Sequence, residues 1–244
     1  MLSGLRHSRL YRALRTFGRS MGLNPMIARL LSGNRYEDRF DRELCAALRP
    51  GDCVWDVGAN VGHYTTLFSL RVGSAGKVVA FEPSPLNSQT LTKATHHMTN
   101  VQCMTIALGN AAGRLGFLQD PTGDGQTSRC LAKEEGAATP TFAVIMRRGD
   151  DVVREDRSTA PNAIKIDVEG FELEVLEGLG DLLALPHLHT IGVEVHFAIL
   201  EQRGSPGTPK AIEHLLATNN FKVSWVDHSH LIGKRCNRPP PPQT

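Results

Sequence analysis

The fold of this chain turns on the stretch Cys53-Val54-Trp55-Asp56-Val57-Gly58-Ala59-Asn60-Val61-Gly62. Cys53–Val57 is short and rich in β-branched and aromatic residues, the composition of a buried strand, and it runs directly into two glycines four residues apart. Gly58 lets the chain turn with no Cβ in the way. Gly62 lets a helix expected over 62–72 start close to a ligand or to the sheet. Working outward, the same succession repeats: apolar runs at Lys77–Phe81, Val101–Ala107, Ala163–Asp167, Thr190–Val195 and Phe221–Val226 alternate with helical patterns near 85–98, 171–184 and 208–219. A further helix is expected from Tyr36 to Leu48, ended by Pro50-Gly51. Such alternation predicts an α/β fold with a mostly parallel, doubly wound sheet. Right-handed crossovers place helices on both faces, and the binding crevice lies beyond the carboxyl ends of the strands. Residues 113–148 break the rhythm with five glycines around two β-like pieces, Leu115–Leu118 and Phe142–Met146, which predicts a hairpin-like insertion carrying a loop.

Composition narrows the function classes. Hydrophobic residues make up 41% of the 244 and charged residues 21%, enough apolar content for a real core. Lys plus Arg count 27 against 25 acids, and aromatic residues are only 6%, so neither bulk charge nor a stacking platform points to nucleic acid as a partner. The charge is unevenly spread: residues 1–36 hold seven arginines and no acid, leaving 20 bases against 25 acids in the rest. Leu10, Leu14, Phe17 and Met21 recur at helical spacing among those arginines, which predicts a short amphipathic helix in a basic arm. The helix could pack on the domain, contact a membrane surface or a protein partner, or belong to an organelle-targeting segment. The domain itself is expected over 37–235, followed by a Pro-rich tail at 236–244 in which Pro239–Pro242 favours a polyproline helix. Five cysteines without regular spacing argue for buried thiols in a reducing compartment, and no run is long and apolar enough to span a bilayer, so a cytoplasmic location is expected.

The residues that carry chemistry fall at strand ends. The first turn is not G-x-G-x-x-G, and Asp56 would repel a pyrophosphate. It suits a ligand that brings a cation, as S-adenosylmethionine does with its ammonium and sulfonium. Phe81-Glu82-Pro83 places a carboxylate beyond the second strand, 20 residues after Gly62, where it can accept hydrogen bonds from both hydroxyls of a ribose. That pairing also fits a nicotinamide dinucleotide and an NAD-dependent oxidoreductase, although Asp56 and the missing third glycine count against it. The run Ile164-Lys165-Ile166-Asp167-Val168-Glu169-Gly170-Phe171-Glu172 puts Lys165, Asp167 and Glu169 on one side of a strand expected to be buried on both. Lys165 can simply pair with a carboxylate, but Asp167 at the crevice mouth is a candidate site acid. Glu172, Glu174 and Glu177 read as the solvated face of the next helix. Glu194 and His196 end the fifth strand on one face, and the ordinary pKa of His196, about 6.5, suits a general base. Capping or burial of His196 is the bland alternative. A divalent metal on Asp167, Glu169, Glu194 and His196 is a further alternative and the less favoured one, since oxygen-rich sites need a compact motif to be recognised.

Taken together, these blocks resemble the FkbM-type S-adenosylmethionine-dependent methyltransferases. The matching segments are Asp56 to Tyr64, Phe81-Glu82-Pro83-Ser84-Pro85, Ala107-Leu108-Gly109, Lys165 to Glu172 with Val175-Leu176-Glu177-Gly178, and Glu194-Val195-His196, in family order across about residues 50–230. The resemblance implies a Rossmann-like class I methyltransferase with a seven-stranded sheet, the last two strands at Phe221–Val226 and around His230–Gly233, one of them antiparallel. It implies that Asp56, Gly58, Ala59, Asn60 and Gly62 receive the methionine part of S-adenosylmethionine, that Glu82 holds the ribose and that Ala107 and Leu108 line the adenine pocket. Asp167 would face the reactive methyl or the acceptor, with His196 and Glu194 beside it. The implied activity is O-methylation of a hydroxyl on a small molecule, carbohydrate or lipid. A non-catalytic, nucleoside-binding interaction module is a further alternative. Residues 119–140 match no family pattern, and Gly149-Asp150-Asp151 lacks the leucine usual before its acidic pair.

Overall fold

The computed structural model describes residues 37–118, 129–131, 141–155 and 159–236. The amphipathic helix of the basic arm, residues 119–128 and 132–140 of the insertion and the polyproline tail lie outside the described residues. The chain divides into two units, Met1–Arg39 and Phe40–Thr244, and the second holds every described strand.

In chain order the elements are α1 (Glu37–Ala47), β1 (Cys53–Val57), α2 (His63–Val72), β2 (Lys77–Phe81), α3 (Pro85–Thr95), β3 (Val101–Met104), β4 (Ala107–Leu108), β5 (Gly113–Leu118), β6 (Arg129–Cys130), β7 (Phe142–Arg147), α4 (Gly149–Glu155), β8 (Ala163–Ile166), α5 (Glu172–Gly178), a 3-10 turn (Gly180–Ala184), β9 (Thr190–Glu194), α6 (Phe197–Gln202), α7 (Thr208–Thr218), β10 (Phe221–Trp225) and β11 (His230–Arg235). Seven strands form the main sheet in the order β10-β11-β9-β8-β1-β2-β3. All pairs are parallel except those of β11, which is antiparallel to β10 and β9.

Alternation along the strands sorts the core to two faces. Trp55, Val57, Ile164, Ile166 and Ile191 pack with Leu176 of α5 and Ile212 and Leu216 of α7. Val54, Val78 and Ala163 point the other way, onto Phe40 and Leu44 of α1 and Phe68 and Val72 of α2. Gly192 on β9 makes room for α1: a Cβ there would lie 2.9 Å from the Phe40 ring.

The insertion is hairpin-like, as its glycines suggest, with β5 and β7 antiparallel. It is also larger than its sequence indicates. The run read as one strand, Val101–Ala107, breaks at the exposed Thr105; Ala107-Leu108 then leaves the main sheet to form β4 and pairs with β7 in a second sheet of order β4-β7-β5-β6. The helix expected over 171–184 is two pieces, α5 and the 3-10 turn, parted at Gly180, whose φ is +49°. The short helices α4 and α6 hold too few turns to leave a periodic trace.

Gly58 is the backbone position that the site can least spare. Its φ is +80°, and a Cβ there would sit 1.8 Å from the main-chain oxygen of Asp167. Gly204 shares the positive φ, +70°, with open space around it. Gly58→Ala should therefore cost about 2–4 kcal/mol in chemical denaturation, against roughly 1 kcal/mol for Gly204→Ala, which carries the left-handed penalty alone. Equal losses would mean that the Gly58–Asp167 approach is not a tight one.

Candidate active site

The chain leaves β1 toward β2 and returns from the insertion to β8 on the opposite side, so strand order reverses between β1 and β8. A crevice opens at such a switch point, beyond the strand ends. Here β1 ends in Asp56 and Val57, β2 in Phe81, β8 in Ile166 and β9 in Glu194.

The Gly-rich turn is tied down by its own backbone. Gly58 and Ala59 both donate to the Phe81 carbonyl at 3.0 Å, and Asn60, at φ +50°, donates its amide to Glu82 Oε2 at 2.8 Å. Glu82 Oε1 accepts from the Ser84 amide at 2.9 Å. Each oxygen of this buried carboxylate thus spends one acceptor position on the main chain and keeps another. Burial pushes the Glu82 carboxyl up to about 7, against the Ser84 and Asn60 amides, which favour its charged form.

Asp56 lies deeper. It is fully buried, accepts from Thr65 Oγ1 at 2.6 Å through Oδ2, and stands opposite Lys165 in the β1–β8 register. Lys165, also buried, places Nζ 3.5 Å from Asp56 Oδ1, 3.1 Å from Asp167 Oδ2 and 3.3 Å from the Gly58 carbonyl. Asp56 is therefore turned toward a lysine under the crevice, a different partner from the ligand cation expected of it. Ala59 packs with Ala80 and Leu91, and Gly62 starts α2. Ala107 and Leu108 are buried in β4 against β7.

Past Ile166 the strand ends, and Glu169 (φ +54°) and Gly170 (φ +95°) turn the chain back. This brings Asp167 and Glu169 around His196, whose Nε2 is 3.6 Å from Asp167 Oδ1 and 3.2 Å from Glu169 Oε2. Its Nδ1 is 2.7 Å from Oε1 of Glu172, a carboxylate with no exposed surface that also accepts from the Gly170 amide at 2.8 Å. Glu172 is thus no member of a solvated face; it is the floor under His196. Burial disfavours an imidazolium, but the hydrogen bonds to Glu169 and Glu172 outweigh it and push His196 up to about 11. A ring held in this way favours its protonated form, which donates at both nitrogens. Burial works against the Asp167 carboxylate, yet Lys165 and His196 hold it below the usual range, while burial leaves Glu169 raised.

Glu194 pairs with a different histidine, while its charge still acts on Lys165 and Glu169. Its Oε2 is 3.3 Å from His230 Nε2, and His230 Nδ1 is held by Asp227 at 2.9 Å. Sequence reasoning missed His230, Asp227 and Glu172. Asp227 had a signal, since Oδ1 accepts the amides of Ser229 and His230 in the side-chain-to-backbone turn that aspartates favour. A shallow depression along α3, lined by Pro85, Ser88, Gln89, Thr92, Lys93 and Thr105, holds one ionisable group and no converging set.

A switch-point crevice with a carboxylate waiting at the end of β2, in a seven-stranded sheet whose last strand runs antiparallel, defines a class I methyltransferase fold. More narrowly, the chain belongs to the FkbM methyltransferase family: the family model "Methyltransferase FkbM domain" matches residues 56–223, and the family's cofactor is S-adenosylmethionine. The oxidoreductase alternative falls with that membership. The chain is 28% identical over 208 residues to the hexuronic acid methyltransferase AglP of Haloferax volcanii, covering 83% of this chain and 79% of that one. It is 28% identical over 201 residues to the 31-O-demethyl-FK506 methyltransferase FkbM of Streptomyces tacrolimicus, with 71% and 76% covered. The solved methyltransferase FkbM of Methylobacillus flagellatus superposes with a TM-score of 0.50 at 16% identity over 77% of this chain, which spans 44% of that protein's length. The residues fit the cofactor: each Glu82 oxygen accepts one main-chain amide and has a second acceptor position, which a ribose hydroxyl would take.

Ribose hydroxyls donated to Glu82 would favour its carboxylate form. Binding of S-adenosylhomocysteine should then strengthen as pH rises from 6 and level off above about 7–8, where the ligand-free carboxyl is already ionised. Calorimetric titration across that range checks it. Glu82→Gln should weaken binding about tenfold or more and flatten the profile; an unchanged affinity would remove Glu82 from the ribose.

Proposed function

We propose that this chain transfers a methyl group to an oxygen of a sugar or other small-molecule acceptor. The observation that carries the reading is the placement of Asp167. Lys165 anchors Oδ2 from below, while Oδ1 faces His196 in a side chain that is partly exposed, so that an acceptor hydroxyl would donate to it. The cofactor would supply an electrophilic methyl whose sulfur leaves with the bonding electron pair. Asp167 would orient the attacking hydroxyl and take its proton as the oxygen loses electron density, so that even a carboxylate held at low pKa suffices as the acceptor of that proton. His196, held between Glu169 and Glu172, would contribute a donor and a positive charge.

The names of the relatives support an oxygen acceptor. A hexuronic acid offers hydroxyls and a carboxylate but no nitrogen, and the FK506 enzyme's name specifies an O-methyl group. We place the reaction in the cytoplasm on the evidence of five free thiols. No helix of the described residues is long and apolar enough to cross a membrane. We place the catalytic domain at 37–235 and assign any contact with a lipid surface or a protein to the arm before it.

Incubation with labelled S-adenosylmethionine and a panel of uronic acids, neutral sugars and amino sugars tests the class. Methylated product is expected from an oxygen acceptor, and mild alkali separates an ester, which it cleaves, from an ether. Exclusive methylation of the amino sugars at nitrogen would overturn the reading. Asp167→Asn should lower turnover about 10²–10⁴-fold while Lys165 retains Asp56.

A further inference from the structure

Building on the oxygen-acceptor reading, we propose that Asp167, Glu169 and His196 form a divalent-cation site, of the Mg2+ or Mn2+ type, that holds the acceptor through neighbouring oxygens. One donor atom from each of the three lies within 4.8 Å of the others, with separations from His196 Nε2 of 3.6 Å to Asp167 and 3.2 Å to Glu169. Adjacent donors around an octahedral ion at about 2.1 Å are roughly 3 Å apart, so a small closure completes three corners. Two carboxylates and one imidazole form a mostly hard donor set, which favours such ions over soft ones. All three side chains are partly exposed, which leaves the remaining corners to water and acceptor.

Two observations outside the triad point the same way. Glu172 receives His196 Nδ1 and so turns Nε2 toward the two carboxylates, the arrangement in which an outer carboxylate orients a ligating histidine. Glu172 is completely buried, yet its Oε2 has no hydrogen-bond partner. An orphaned carboxylate oxygen directly behind the ligating histidine marks a place short of positive charge. Among the described residues, the ion pairs of Asp56, Asp167, Glu169, Glu172, Glu194 and Asp227 run to Lys165, His196 and His230. A cation in the triad would replace the Nε2 proton and supply the missing charge. It would also reverse the repulsion that a sugar acid's carboxylate meets at this acidic floor. With the ion bound, a hydroxyl drawn to it would become more acidic and pass its proton to water, in place of the transfer to Asp167 at the ion-free site.

The test uses full-length protein stripped with a chelator and titrated with Mn2+, free ion being read by electron paramagnetic resonance, both with and without S-adenosylhomocysteine. One saturable site per chain is expected, with electron-spin-echo modulation from a coordinated imidazole nitrogen. Glu169→Gln and His196→Gln should each weaken it at least tenfold, and Glu177→Gln, an exposed acid that bonds Asn110, should leave it within about twofold. No saturable binding up to 1 mM, bound Mn2+ without nitrogen coupling in the wild type, or unchanged affinity in both site variants would each overturn the proposal. The spin-echo measurement needs only the wild-type protein, so it stands even if a variant fails to fold. Failure to bind S-adenosylhomocysteine, with Mn2+ still bound at the triad, would count against the cofactor reading and not against the cation site.

Discussion

A single buried ammonium holds this site together. Lys165 stands opposite Asp56 across the β1–β8 register and reaches Asp167 and the Gly58 carbonyl, with the Tyr64 ring 4.7 Å below its charge. Burial alone would strip its proton; Asp167 and Asp56 keep the lysine raised and charged. Removing one member of such a buried set is worth about 3–5 kcal/mol because the others are left uncompensated. One charge thus fixes the end of β1, the turn after it and the first residue beyond β8. Those are the three pieces that would have to meet cofactor and acceptor.

Around that charge the main chain does the positioning. The Asp167 amide donates to the Val57 carbonyl at 3.0 Å, and the Asp167 oxygen occupies the space that a Gly58 side chain would need. The next two amides close onto Phe81, and the one after onto Glu82. Glu82 and Asp167, the acids proposed for the ribose and the acceptor, therefore sit on a common backbone scaffold, joined by hydrogen bonds of the main chain. Electrostatic catalysis depends on groups that need not reorganise, and this scaffold provides that condition.

The fold was legible because its strands are short, apolar and buried on both faces. Cys53–Val57 and Lys77–Phe81 end where their runs end, and Gly58 and Glu82 follow directly. What could not be read was three-dimensional neighbourhood. Period-two alternation correctly put Lys165 with Asp167, but said nothing about a left-handed Glu169 that folds the chain back on itself. Glu172 has the composition of a solvated helix start; only the return of His196, 24 residues later, makes it a buried partner. The pKa of His196 was read from its type, whereas Glu169 and Glu172 determine it. Glu194 pairs with His230 because β11 comes back antiparallel, a consequence of topology with no local trace.

On the oxygen-acceptor proposal, selection of the acceptor would rest on what surrounds the acidic residues. Immediately after His196, Phe197 is 44% exposed and lies against Trp225, ring centroids 5.7 Å apart, with the indole N–H fixed on Glu213 at 2.6 Å. An apolar edge beside carboxylates is a surface for a molecule with C–H groups on one face and hydroxyls on the other, since the rings take the first and the carboxylates the second. A flat aromatic acceptor would use the rings and leave Asp167 and Glu169 desolvated without hydrogen bonds, at a cost that neutral stacking does not repay. A purely polar acceptor would satisfy the acids but gain nothing from Phe197. On the oxygen-acceptor proposal, the two penalties acting together would favour a ring that is polar on one side and apolar on the other.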